Sequence, residues 1–184
     1  MNVKINNKLK KNWLILILLL VASDQLSKVL IQYFIPIKTS IKVIPDILLF
    51  THITNDGISF GWNPFSNSIV LFFISLIACF FIVKVLFDSE NETKLNQISL
   101  CLIIGGAIGN LIDRFFTAFN LFGYTGVVDF IDVGTNGYRF YIFNFADSFI
   151  TIGIRPPAFE PIPMVCISIP ISDAFLAKLI ASPS

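Results

Sequence analysis

WLILILLLVASDQLSKVLIQYFI, residues 13 to 35, is apolar almost throughout and yet carries Asp24 and Lys28 in its interior. A helix crosses the hydrocarbon of a bilayer in about 20 residues, so the run is long enough to span. An acid and a base four positions apart face the same side of a helix and can offset each other's charge. A charge inside a membrane is costly, so the pair marks the side of the helix that turns away from lipid. The preceding KINNKLKKN supplies Lys4, Lys8, Lys10 and Lys11. Basic n-region, apolar core and the small residues of Val-Ala-Ser also fit a cleaved secretory signal. VLIQYFI resumes after Lys28, however, and favours one continuous spanning helix.

Working outward, three more runs have a membrane character: about 69 to 87, 98 to 119 and 138 to 154. Over all 184 residues, 55% are hydrophobic, 14% are charged, and the mean hydropathy is +0.79. That excludes an ordinary soluble domain. A net charge of +1 gives no footprint for nucleic acid. Cys79, Cys101 and Cys166 are few, odd in number and widely spaced, which argues against a disulfide framework or a zinc site. His52 has no second His or Cys near it, so neither a metal nor a cofactor is expected. The reading is an all-α integral membrane protein with four transmembrane helices.

Lysines set the orientation. The four before the first span place the N-terminus in the cytoplasm, and Lys84 and Lys94 flank the short cytoplasmic turn. The connections at about 36 to 68 and 120 to 137 then face outside, and the C-terminus returns to the cytoplasm. On this topology the intramembrane polar residues converge toward the outer leaflet. Asn110, Asp113 and Arg114 lie in the outer part of the third span and share a face by their spacing. Asn144 and Asp147 lie three apart in the fourth, at an expected depth of about 9 to 14 Å. Gly105 and Gly109 form a G-x-x-x-G step that lets a neighbouring backbone come close.

Most of these groups have a bland explanation. Asp24 with Lys28 reads first as a neutralising pair, and Asp113 beside Arg114 as an anchor. Asp147 differs, because no basic residue stands within four positions of it. A carboxylate without a local counter-ion is a functional candidate. A second carboxylate beside it would raise one pKa and leave the pair sharing a proton. One acid then activates water while the other, protonated, polarises a carbonyl. Asp129 in the outer connection is the leading partner and Asp132 its rival, and spacing alone does not separate them. Two other chemistries compete: a serine–lysine protease on Ser23 or Ser27 with Lys28, and a small proton-coupled transporter relaying through Asp147. Lys28 has Asp24 at hand to keep it protonated, which counts against the first. The absence of an internal repeat counts against the second.

SDQLSK (23 to 28), NDGISFG (55 to 61), GNLIDR (109 to 114), GVVDF (126 to 130) and FNFADS (143 to 148) occur in that order. Together they resemble the signature blocks of the bacterial lipoprotein signal peptidases, or signal peptidase II, over about residues 13 to 154. The resemblance implies a four-helix aspartyl endopeptidase domain, 1 to 154, in the bacterial cytoplasmic membrane. It implies cleavage of prolipoproteins just before a diacylglyceryl-modified cysteine, with a monomeric enzyme, lipidated prolipoproteins and membrane lipids as partners, and no cofactor. Asp129 and Asp147 fall on the family's catalytic pair, which decides against Asp132. Asn110, Asp113, Arg114 and Asn144 fall on its polar support, Asp24 and Lys28 on its first-helix pair, and Asn55 on its outer-loop asparagine. The first outer loop is expected to form a small β-rich extracytoplasmic cradle, for which IKVIPDILLFTHITNDGISFG has the β-branched residues. Ile58 and Ser59 replace small residues of the family. RPPAFEPIP (155 to 163) stops the last helix early, and the tail 155 to 184 does not resemble the family.

Overall fold

The structure, a computed structural model, describes residues 7–57, 67–88, 93–135 and 138–154. Lys4, Ile58, Ser59, Cys166 and the tail from 155 lie outside the described residues.

Three helices match the apolar runs. They are α1 (Asn7–Phe34), α2 (Ser68–Asp88) and α3 (Lys94–Ala118), of 28, 21 and 25 residues. Each is long and apolar enough to cross a membrane. Their surfaces fit that solvent: Leu18, Leu19, Phe80 and Phe81 are among the large apolar side chains left exposed. Helix α3 is central, packing on α1, α2 and the short final helix α4 (Phe145–Ile154). Thr93 caps its start, its hydroxyl accepting from the Asn96 amide. The glycine step makes the close approach possible. A Cβ on Gly105 would stand 2.8 Å from the Leu20 Cβ of α1, and one on Gly109 would stand 2.5 Å from Asp24 Oδ2.

The fourth apolar run does not form the single helix expected over 138 to 154. Helix α4 holds 10 residues, about 15 Å of rise, and residues 138 and 139 are strand β4 (Tyr138–Arg139) instead. YRFYIF is aromatic-rich and suits an extended chain. From Tyr138 to Phe143 it runs back antiparallel along strand β3 (Val127–Thr135), with Phe143 bridging Ile131.

A second correction concerns the sheet. The connection between α1 and α2 supplies β1 (Ser40–Ile44) and β2 (Leu48–Asn55), but VVDF in the connection between α3 and α4, read as loop, lies in β3. The four strands form one antiparallel sheet in the order β1-β2-β3-β4. The molecule is thus a helical membrane protein with a small sheet drawn from both of these connections, rather than all-α. The alternation of VVDFID is masked because Val127 to Phe130 are all buried. Ile31 and Ile35 at the end of α1 pack with Val128 and Phe130 and seat the sheet on the helices. His52, buried in β2, bonds the Ile35 carbonyl through Nδ1 at 2.7 Å, tying the end of α1 to the sheet.

Candidate active site

The site grows from one ammonium group. Lys28 Nζ, fully buried, lies 2.8 Å from Asp24 Oδ2, 2.9 Å from Asp113 Oδ2 and 3.0 Å from Asn110 Oδ1. An ammonium has three donors and no acceptor, so all three are used. This fixes the Asn110 amide: its oxygen faces Lys28, so its nitrogen points the other way, donating to Asp147 Oδ1 at 2.8 Å. A charge on α1 therefore orients, through one amide on α3, a donor aimed at α4.

Asn144 and Asp147 open α4 as a reciprocal cap. The Asn144 side-chain oxygen accepts from the Asp147 amide at 2.9 Å, and Asp147 Oδ2 accepts from the Asn144 amide at 3.3 Å. This is a capping box with asparagine and aspartate in its two positions. Asp147 therefore stands in the first turn of α4, not deep inside a span. The amide nitrogen of Asn144 also reaches Asp129 Oδ1 at 2.7 Å, Asn110 Oδ1 at 3.1 Å and the Val128 carbonyl at 3.2 Å. Asn144 meets Asp129 because the return strand pairs Phe143 with Ile131, one step away. One residue thus touches both carboxylates, Asp129 with its side chain and Asp147 with its backbone.

Asp129 is 2% exposed and opposite Ile53 in the β2–β3 register. Asn55, at the end of β2, donates to its second oxygen at 3.3 Å. Burial first, and then the charge of Asp147, push the Asp129 carboxyl up from 3.8 to about 7, while the bonds from Asn55 and Asn144 and the charge of Lys28 pull it down. Arg114 interacts electrostatically with Asp147, Asp113 and Asp129. Beside it, a cavity of about 10 Å³, room for one water, is lined by Asn55, Asp56, Ser68 and Arg114 among others.

All nine residues singled out for the site gather here: Asp24, Lys28, Asn55, Asn110, Asp113, Arg114, Asp129, Asn144 and Asp147. Asp132 goes elsewhere, to Arg139 Nε at 2.5 Å and to the Thr51 hydroxyl at 2.8 Å. Arg139, placed on the fourth helix by sequence, is a β4 residue holding the return strand to β3. The Ser23 and Ser27 hydroxyls bond backward to the Leu20 and Asp24 carbonyls, and Lys28, donating all three ammonium hydrogens to Asp24, Asp113 and Asn110, offers no lone pair to act as a base. A serine–lysine centre is not formed. Sequence reasoning passed over Gln25, whose Nε2 reaches Asp24, Asp113 and the Gly109 carbonyl. Its one signal was its place between Asp24 and the next helical turn.

Comparison with known proteins points one way. The family model described as signal peptidase (SPase) II matches residues 16–157. A lipoprotein signal peptidase from Lactobacillus johnsonii is 37% identical over 143 residues, covering 77% of this chain and 86% of that protein. One from Lactobacillus gasseri is 38% identical over 143 residues, with the same 77% and 86% coverage. A bacterial membrane enzyme solved by the in meso method at 2.3 Å resolution superposes with a TM-score of 0.64 at 33% identity, over 78% of this chain and 83% of the other. Another, at 1.9 Å, gives 0.63 at 33% identity, over 78% and 88%.

Proposed function

This chain belongs to the signal peptidase II family, and from that premise we propose that it is an aspartyl endopeptidase working through Asp129 and Asp147. The family is one of proteases that remove signal peptides from prolipoproteins. The specific substrate in this reading is a prolipoprotein whose cysteine already bears a diacylglyceryl group, cut on the N-terminal side of that cysteine. The enzyme sits as a monomer in the bacterial cytoplasmic membrane, with both termini in the cytoplasm and its sheet at the outer surface.

The observation that carries the reading is Asn144, bonded at once to Asp129 and Asp147. The charge of Asp147 raises the Asp129 carboxyl, as expected of two acids that share a proton. One takes a proton from water as it attacks the scissile carbonyl; the other, protonated, donates to the carbonyl oxygen. Burial and the charge of Asp147 push the Asp129 carboxyl up to about 7, so the pair holds a proton below that pH. As the C–N bond breaks, the acid that took the water proton gives it to the departing amine, the other recovers its proton from a hydroxyl of the diol, and the pair returns to its starting state. Each of the four carboxylate oxygens accepts one bond, from Asn110, Asn55 or Asn144, which orients the acids and leaves further lone pairs for water. Family membership and the engaged Lys28 both weigh against transport and serine–lysine chemistry.

The test is cleavage of a diacylglyceryl-modified prolipoprotein by purified protein in detergent. Asp129→Asn and Asp147→Asn are each expected to abolish turnover while leaving helix content and detergent-stable folding intact, and a chelator is expected to leave the parent rate unchanged. Full turnover in either variant removes the dyad.

A further inference from the structure

Each acid of the candidate pair follows a residue whose amide N–H is held by a second, buried carboxylate. Ala146, one before Asp147, donates to Asp24 Oδ1 at 2.9 Å. Val128, one before Asp129, donates to Asp113 Oδ2 at 3.1 Å. Asp24 and Asp113 are both fully buried and stand on different helices, α1 and α3. The spacing of the two catalytic acids is therefore inherited from the spacing of Asp24 and Asp113.

Lys28 draws those two carboxylates together but contacts only one oxygen of each. Its attraction is that of a point charge and sets no angle. Gln25 completes the frame. Its Nε2 lies 3.1 Å from Asp113 Oδ1, 3.2 Å from Asp24 Oδ2 and 3.0 Å from the Gly109 carbonyl. Two amide hydrogens are shared among three acceptors, so the group is held at the centre of the triangle. The contact to Gly109 references both carboxylates to the α3 backbone, where a Cβ would leave no room for Asp24.

We propose that Gln25 is a positioning residue for peptide cleavage, fixing the separation of Asp129 and Asp147 through Asp113, Asp24 and the two amides they hold. The inference rests on the catalytic assignment above. It places the geometric control of the reaction on α1, which carries neither acid. Without the Gln25 amide, Asp113 is steered by Lys28 alone, the hold on Val128 loosens, and the acids lie farther apart on average. Their repulsion, which helps keep Asp129 protonated, then falls. The charged groups that face the pair are Asp24 and Lys28 from α1 and Asp113 and Arg114 from α3.

The experiment uses the full-length protein in detergent and the same lipidated substrate. Gln25→Leu is expected to lower kcat roughly ten- to a hundredfold with KM unchanged, and to move the alkaline limb of the kcat profile to lower pH. Gln25→Asn, with the same amide one methylene short, serves if Gln25→Leu does not fold, and is expected to show the same limb shift. A parental kcat in either variant overturns the proposal. So does a fall in kcat matched by an equal loss of folded protein with the alkaline limb unmoved, which would mark a structural role only. Asp129→Asn and Asp147→Asn run alongside: turnover retained there sinks the dyad itself, while an inert Gln25 with an essential pair sinks only this inference.

Discussion

Lys28 carries more of the site than any other side chain, although it touches neither of the two proposed catalytic acids. Removing one partner of a fully buried ion pair costs about 3–5 kcal/mol, because the remaining charge is stranded. Lys28→Met would strand two carboxylates, Asp24 and Asp113, and free the Asn110 amide to turn over. We expect it to lose stability of that order in detergent unfolding and to be inactive, with Lys28→Arg a poor substitute because a flat guanidinium does not reproduce three converging donors. The Asp129 carboxyl gives a pH prediction. Turnover needs one proton on the pair, so kcat/KM should fall as pH rises through about 7. The stability sign follows from the same shift. Between about 4 and 7 the folded protein keeps a proton that the unfolded chain releases, so this group's contribution to stability declines as pH rises across that window. Spacing alone singled out Asp147 by its missing neighbours but did not separate Asp129 from Asp132, which only the resemblance of GVVDF to a family block did. That choice depends on which face of β3 each acid takes and on Arg139 waiting across the hairpin for Asp132, and both are facts of pairing rather than of spacing.

At the level of elements, the hinge of the design is the start of α4. Asn144-Phe-Ala-Asp147 has the spacing of a helix cap, and in hindsight that pattern marked a helix beginning where the apolar run alone predicted a helix already two turns old. Hydropathy does not make this distinction, because the aromatic and aliphatic residues of YRFYIF run without a break into those of α4, and it is pairing with β3 that marks the stretch as extended. The three long helices were legible for the opposite reason: nothing in them competes with the helical period. Gly106 controls how closely α4 approaches, since a Cβ there would run into the Ala146 carbonyl and meet Ile150 Cγ1 at 2.8 Å. Gly106→Ala is expected to push α4 outward, cost about 1–3 kcal/mol in thermal unfolding, and reduce turnover more than stability, because Ala146 adjoins Asp147. Gly105→Ala would meet Leu20 Cβ on α1 at 2.8 Å, away from α4 and from both acids, and should be the milder of the two in the cleavage assay.

Across the whole molecule, charges buried between α1 and α3 hold the far ends of a sheet and a short helix in one place. Orientation, read from lysines that flank the spans, is open to a direct check. A cysteine at Lys42 in β1 should react with a membrane-impermeant thiol reagent on intact spheroplasts, and one at Lys94 at the start of α3 should react only after lysis, each above the parent background; Cys79 and Cys101 are buried. The opposite pattern would invert the topology and move the site away from the outer leaflet. The sheet's division between the α1–α2 and α3–α4 connections was not legible, because a strand such as β3 that is buried on both faces loses the alternation by which strands are usually recognised.

The one-turn spacing of Asp24 and Lys28 also bears on biogenesis. Helix α1 leaves the ribosome long before α3 exists, so for that interval Lys28 has neither Asp113 nor Asn110 for company. A lone charge at the centre of a spanning helix opposes insertion by about 2.5–3.5 kcal/mol. With its acid one turn behind it, the ammonium enters the lipid already half-neutralised, as a passenger carrying its own counter-ion. The nascent helix can wait there, and the arrival of α3 then adds Asp113 and Asn110 to that first partner and completes the three-way junction.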